Sequence, residues 1–452
     1  MQFDGTVTWD FRYDTGGNLS HHDIEPLPNG NVLMIAWERK TSAEAIATGR
    51  DPALLAGNNL QPDHIIEVQP NGVTGGTIVW EWHLWDHLIQ DHDATKANYG
   101  DVGANPGKYD VNYPPQVLSG FGDWTHCNGI DYDPVHDWIV ISARAADEIW
   151  VIDHSTTTAE AAGSTGGNSG KGGDFLYRWG NPAAYRQGTA ADQLLSGQHA
   201  ANFIPEGEPG AGNLLLFNND GGPNGTSVVW ELALPLDQAD QFVTGGGPNG
   251  TWGPAGPLWS YSSAAIDSNV MSGARRLPNG NTLICSAVAA LLVEVTPAGQ
   301  VVWQHATVGN LPFHALYVER TAWQSRTAVS RSAGGSIQHD LVAGGAFAGD
   351  TYVLLGSVTG TVPGGTIDGT AVPLVFDAYT DLTFQFANVT PFVNTFGTLD
   401  GAGSATATFT LPPGLAPAVA VGLDLHHAFL VVDQTSGAVT HASNPLTVTI
   451  AP

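Results

Sequence analysis

Through most of the chain, short apolar runs alternate with Asn-Gly, Pro-Asn-Gly and Gly-Gly pairs, the pattern of strands joined by tight turns. No amphipathic helical stretch of useful length interrupts it. One unit recurs: Leu27-Pro28-Asn29-Gly30-Asn31-Val32-Leu33 returns as Leu277-Pro278-Asn279-Gly280-Asn281-Thr282-Leu283. A looser copy is Ile204-Pro205-Glu206-Gly207 followed by Asn213-Leu214-Leu215-Leu216. Each copy predicts a strand, an Asn-Gly turn and a second strand. Downstream of these come strands carrying Val-x-Trp or a relative of it: Ile78-Val79-Trp80, Tyr177-Arg178-Trp179, Val228-Val229-Trp230 and Val301-Val302-Trp303. Val7-Thr8-Trp9 stands alone at the start. Repeated four-strand units predict a β-propeller. Inner strands can be placed for five blades, and Thr6 to Arg12 reads as an outer strand of one more. The expectation is a six-bladed ring whose first blade is truncated, or one closed between the two ends of the domain.

A composition break divides the chain. All 14 Trp lie at or before Trp323 and all 15 Lys and Arg at or before Arg331, so residues 332–452 hold neither. With 452 residues, two domains are expected. The propeller is placed at 1–325, a polar linker at 326–340 and a β-sandwich at 341–452. The sandwich is read from alternating segments such as Asp381 to Phe386, Ala405 to Thr410 and Leu446 to Ile450. His426-His427 within it reads as surface or packing.

Charge narrows the function classes. A net charge of −28 and a pI near 4.6 argue against nucleic acid and anionic membranes as partners. No apolar run reaches membrane-spanning length. The opening Met1-Gln2-Phe3-Asp4-Gly5 carries no export signal, and the expectation is a secreted or periplasmic protein from which that signal is gone. Cys127 and Cys285 fall in non-adjacent repeats and read as buried thiols. Nothing in the sequence points to an oligomeric state.

The candidate chemistry emerges from the repeats. Five residues before the Leu or Ile of the repeated motif stand His22, His199 and Ser272; His126 and His314 open the remaining units. Inner strands line the axis of a propeller, so one repeated position converges on one place. His21 lies off that register and reads as neighbouring support. Arg144, on the strand after His126, suits an anionic ligand such as sulfate or phosphate. Asn128 alternates with His126 on one face and could donate its amide to the same anion. Gly166 to Gly172 imitates a phosphate loop but departs from the motif at both ends and reads as a flexible insertion. Asp86, Asp91 and Asp93, with His83, His87 and His92, read as a solvated rim loop. On these residues alone four readings stand. They are a group-transfer enzyme, a histidine-ring metalloenzyme, a polysaccharide lyase or sulfated-glycan-binding protein, and a non-catalytic binding module.

Residues 1 to about 325 resemble the bacterial arylsulfate sulfotransferases. The resemblance rests on His21-His22-Asp23-Ile24 before Leu-Pro-Asn-Gly-Asn, on His126-x-Asn128 leading into Asp131-Tyr132-Asp133, and on Ser142-x-Arg144. It rests further on Gln198-His199 and on Ser272-Gly273-Ala274-Arg275-Arg276. It implies transfer of a sulfuryl group from an aryl sulfate to a phenol through a sulfohistidine, with no cofactor and no metal. It implies His199 as nucleophile, His126, Asn128 and Arg144 as holders of the sulfuryl oxygens, and His22 as proton carrier or sulfate ligand. His21, Ser272 and His314 would complete the substrate site.

Overall fold

In a computed structural model, the structure describes all residues except 1–6, 8, 56, 58, 115–121, 244–250, 308–311 and 316–320. The chain is all-β and divides into two compact units, Met1–Tyr317 and Val318–Pro452.

The repeated motif folds the same way in its two full copies. Leu27 N–H donates to Asn31 O, Gly30 N–H to Leu27 O and Asn31 N–H to the Asn29 side chain; Leu277, Gly280 and Asn281 repeat all three bonds. Gly30 and Gly280 take φ of 85° and 83°, conformations that a side chain resists. The motif's two asparagines also reach across the sheet. Asn29 and Asn31 donate to Glu67, and Asn279 and Asn281 to Glu294. The repeat therefore ties its turn to the third strand as well as joining the first two.

These hairpins extend into four antiparallel four-stranded sheets among the described residues of the first unit. The first runs Leu19–Pro26, Val32–Trp37, Asp63–Asn71, Gly75–His83, and the second Cys127–Asp133, Trp138–Ala143, Glu148–Asp153, Tyr177–Trp179. The third runs His199–Phe203, Leu214–Asn218, Val228–Leu232, Trp259–Tyr261, and the fourth Gly273–Arg276, Thr282–Ser286, Leu291–Val295, Val301–Ala306. Successive sheets pack face to face. Ile139 and Ile141 join Leu33, Ile35 and Trp82 on one side, whereas Val140 and Trp138 join Leu214 and Leu216 on the other. Alternate residues of a sandwiched strand are thus buried on opposite faces, so the strand reads as a continuous apolar run. First strands of neighbouring sheets adjoin: Asp23 accepts Ile130 N–H at 3.1 Å, Asp131 accepts Phe203 N–H at 2.7 Å, and Asn202 donates to Ala274 O at 2.9 Å. This is the strand arrangement of propeller blades.

Several details differ from expectation. Of the segment 6–12, the described residues form no strand; Trp9 and Phe11, stacked at 5.3 Å, cover Val32, Met34, Ile66 and Val68 on the first sheet. Val228–Trp230 lies on a third strand, because a further strand, Trp259–Tyr261, closes that sheet. Phe313, His314 and Ala315 lie in no strand, and Leu316 and Tyr317 fall outside the described residues. The Gly166–Gly172 loop is held down: Ser169 N–H bonds Asp153, Asn168 N–H bonds Ser155, and a Cβ at Gly167 or Gly172 would meet atoms closer than 3 Å. His87 is buried against Asp174 and Ala161 O, and Asp91 pairs with Arg186, so the supposed rim cluster disperses into separate contacts. Cys127 and Cys285 are buried, unpaired thiols.

In the second unit, two sheets share their cores. Leu341 and Ala407 of one meet Leu354, Phe429 and Val431 of the other. Residues 326–340 contribute the strand Ala328–Ser330 and most of Gly335–Val342, both paired within this unit. Asp381 to Phe386, expected as a strand, instead belongs to and ends the helix Ala378–Gln385. Asp377 caps it, accepting from Tyr379 and Thr380 N–H, and Thr380 and Thr383 face inward while Leu382 and Phe384 stay exposed. The alternation was real, but the capping box overrode it.

Between the first two sheets, His154 bonds Asp137 at 2.7 Å and Glu67 at 3.1 Å. Against the opposing effect of burial, these two carboxylates push its pKa up to about 9. A raised histidine pKa stabilises fully below the unfolded value near 6.5 and loses that contribution as pH rises through the folded value. Thermal unfolding followed from pH 6 to 10 should therefore lose on the order of 2 kcal/mol attributable to this site. The His154→Gln variant should lack that component, which the difference between the two Tm profiles would reveal.

Candidate active site

The first strand of each four-stranded sheet in the first unit kinks near its start. His22, His126, Ala200 and Ser272 take φ of 56°, 49°, 53° and 79°. Pairing with the second strand slips at the same places in the first three sheets. Non-glycine residues seldom hold this conformation, and bulges of this kind re-aim side chains out of the pleat. In the third sheet the left-handed residue is Ala200, one position after His199, so the histidines share a kink without sharing one backbone position.

Around these kinks the structure gathers His21, His22, His126, His199 and Arg144. The His22 and His126 rings lie 4.5 Å apart, edge to face. His126 Nδ1 bonds Asp123 at 2.5 Å. His21 Nδ1 meets His22 Nδ1 at 2.7 Å, and His21 Nε2 meets Asp63 at 2.8 Å. The His22 ring keeps contact with solvent, yet crowding and the neighbouring His21 and His126 push its pKa down to about 4.

His199 is buried and firmly oriented. Its Nδ1 lies 2.8 Å from Asn219 Oδ1 and 3.0 Å from Gly197 O. Asn219 Nδ2 donates to Ser268 O and Met271 O, which fixes its oxygen toward the ring. Two acceptors at Nδ1 place the imidazole proton there and leave the lone pair on Nε2, which accepts a hydrogen bond from Met271 N–H at 3.2 Å. Burial, helped by the Arg144 charge, pushes the His199 pKa down to about 3. The ring is therefore neutral at ordinary pH.

Arg144 follows the strand Trp138–Ala143, its N–H bonded to His126 O. Its charge is felt by His199, Asp147 and Asp220, but its guanidinium makes no hydrogen bond or ion pair among the described residues. Arg178 and Arg276, by contrast, are buried against Glu148 and Glu231. An arginine left free beside a neutral histidine is suited to an oxyanion.

The other expected residues make bonds of their own. Asn128 is fully buried and its Nδ2 donates to Gln198 O, so it braces the approach to His199. Ser272 is buried, its hydroxyl accepting from Ala287 N–H. His314 reaches Asp23 at 3.6 Å. There a cavity of about 500 Å³ lies between Asp23, Glu25, Asp131, Arg275 and His314. Burial raises the pKa of Asp23, Glu25 and Asp131 there. Sequence reasoning missed Asp63, Asp123, Asn219 and Phe313. The Phe313 ring lies 6.3 Å from both His22 and His199. Only Asp123, three residues before His126, left a local trace.

The first unit is thus all-β and gathers oriented histidines near an arginine that has no partner among the described residues. The arylsulfotransferase (ASST) family matches residues 1–229, just over half of the 452-residue chain, and the chain belongs to that family. The matched span holds every residue of the histidine–arginine cluster; Ser272 and His314 lie beyond it. Among curated proteins none matches. Among solved structures, a protein of unknown function from Bacteroides caccae is 15% identical with a TM-score of 0.25, covering 49% of this chain and 54% of its own. The chain thus spans about half the length of that relative. A catalytically inactive virginiamycin B lyase from Staphylococcus aureus with quinupristin is 9% identical over 73% of this chain and 79% of its own, with a TM-score of 0.30. Likenesses this slight carry no argument here. Among the described residues no helix is long and apolar enough to cross a membrane.

Asn219→Asp would set a carboxylate against His199 Nδ1 and should raise the ring's proton affinity about 10- to 1,000-fold. A ring-proton NMR titration that finds His199 unmoved would remove Asn219 from this role.

Proposed function

We propose that the protein transfers a sulfuryl group from an aryl sulfate to a phenol in two steps through His199, without a nucleotide or metal. The observation that carries this reading is His199 itself, neutral and held through Nδ1, its Nε2 lone pair engaged only by Met271 N–H among the described residues and lying within the field of Arg144. In the first step Nε2 attacks sulfur, the S–O bond to the aryl group breaks, and the phenolate leaves with its electron pair. In the second, a phenol oxygen attacks the sulfur of sulfo-His199, the S–N bond breaks and its electrons return to Nε2. A neutral imidazole is a competent nucleophile near neutral pH, and two steps divide a difficult displacement. Arg144 and His126 would hold the sulfuryl oxygens as charge shifts among them, as cationic side chains do in phosphoryl transfer. Asn128 would act by bracing the His199 strand. A free arginine at this place disfavours the reading of the histidines as a metal ring, since the two cations would repel.

Around this site we propose the six-bladed ring, with a β-sandwich accessory unit following it in the chain, working outside the cytoplasm.

His199→Ala should abolish release of nitrophenol from 4-nitrophenyl sulfate in the presence of a second phenol, while circular dichroism stays unchanged. Turnover retained in that variant would end the nucleophile assignment. Arg144→Lys keeps the charge but loses the planar fork, and its kcat should fall about 100- to 1,000-fold.

A further inference from the structure

The Asp63–His21–His22 chain has no part in the two bond changes above, yet it ends at the sulfuryl site. Asp63 is fully buried on the third strand of the first sheet. Its Oδ1 faces His21 Nε2 at 2.8 Å; its Oδ2 accepts Thr125 Oγ1–H at 2.5 Å and Cys127 N–H at 2.9 Å, on either side of His126. Burial alone would raise this carboxyl, but His21, Thr125 and Cys127 N–H together hold it below the ordinary range, so it is ionised. An ionised carboxylate only accepts, which places a proton on His21 Nε2. In neutral His21 the Nδ1 then accepts, and the 2.7 Å contact makes His22 Nδ1 the donor. His22 Nε2 is left with its lone pair. The His21 ring is clamped flat on Trp37, centroids 4.1 Å apart, so the chain cannot simply turn over.

We propose that Asp63, acting through His21, is the positioning residue that makes His22 the general base for the phenol acceptor. The proposal rests on the sulfohistidine reading above. As the phenol oxygen attacks the sulfur of sulfo-His199, the phenol proton passes to His22 Nε2. The products are aryl sulfate, neutral His199 and an imidazolium at His22, which still donates through Nδ1 to His21. The buried Asp63 charge stabilises that imidazolium, and His22, open to solvent, then releases the proton to water. His126 takes no part in the chain, its Nδ1 being engaged by Asp123.

Asp63→Asn tests the tautomer directly. The single amide oxygen is claimed by Thr125 Oγ1–H and Cys127 N–H, so the amide NH₂ faces His21 Nε2 and reverses both histidines. His22 Nε2 would then carry a proton and could accept none, as when the aspartate of a Ser-His-Asp triad becomes asparagine. With 4-nitrophenyl sulfate as donor, transfer to unsubstituted phenol should fall about 100-fold or more. Transfer to a polyfluorinated phenol, already ionised at the assay pH and needing no base, should fall less than about tenfold. His22→Ala, at a solvent-exposed position, should reproduce this split, and adding Asp63→Asn to it should cost nothing further. Equal losses with both acceptors, or additive losses in the double variant, would overturn the proposal even if Asp63→Asn folds poorly, because His22→Ala alone reads the split. Loss of the nitrophenol burst in the wild-type protein would instead overturn the sulfohistidine reading and the relay with it.

Discussion

Each sheet of the first unit ends inwardly in a strand whose outer edge has no further strand to bond. Backbone groups buried at such an edge must find partners elsewhere, and here the neighbouring sheet supplies side chains: Asp23 to Ile130 N–H, Asp131 to Phe203 N–H, Asn202 to Ala274 O. The bridges hold the inner strands close together. A Cβ on Gly129 would come within 3.1 Å of the Ala200 backbone, and one on Gly273 within 3.0 Å of the Ala200 side chain. The meeting inner strands therefore carry short side chains and carboxylates there, and the histidines collect where the strands kink.

That kink makes the site possible. A left-handed residue at the head of each inner strand interrupts the pleat and turns His22 and His126 away from the ladder. Such conformations persist only where surrounding bonds enforce them. Asp63 does so for two sheets at once, gripping His21 on the first and the flanks of His126 on the second. Asn128 does the equivalent for the third, through Gln198 O. The residues that shape the chemistry are thus the same ones that join sheet to sheet.

Charge follows the same economy. In this acidic chain Arg178 and Arg276 are buried against Glu148 and Glu231, and Arg50 against backbone carbonyls. The Arg144 guanidinium has no such partner among the described residues. Burial is the first cause of the depressed His22 and His199 pKa values, and the Arg144 charge adds to it at His199.

The sequence by itself determined what depends on neighbours in the chain. The Leu-Pro-Asn-Gly-Asn turns, the apolar runs of doubly buried strands and the recurrence of histidine at strand heads were all readable, because turn chemistry and pleat alternation are local. The same locality misled at Asp381 to Phe386, where a side-chain cap at Asp377 outweighed an alternating pattern. Only the tertiary structure decided that Asp63, Asn219 and Phe313 reach the histidines, that Asn128 bonds Gln198 O and Ser272 accepts Ala287 N–H, and that His21 faces His22 while His314 faces Asp23. These residues come from different sheets or from loops with no repeat to mark them. Their roles are set by which strand edges meet in space, and no periodicity along one strand encodes that meeting.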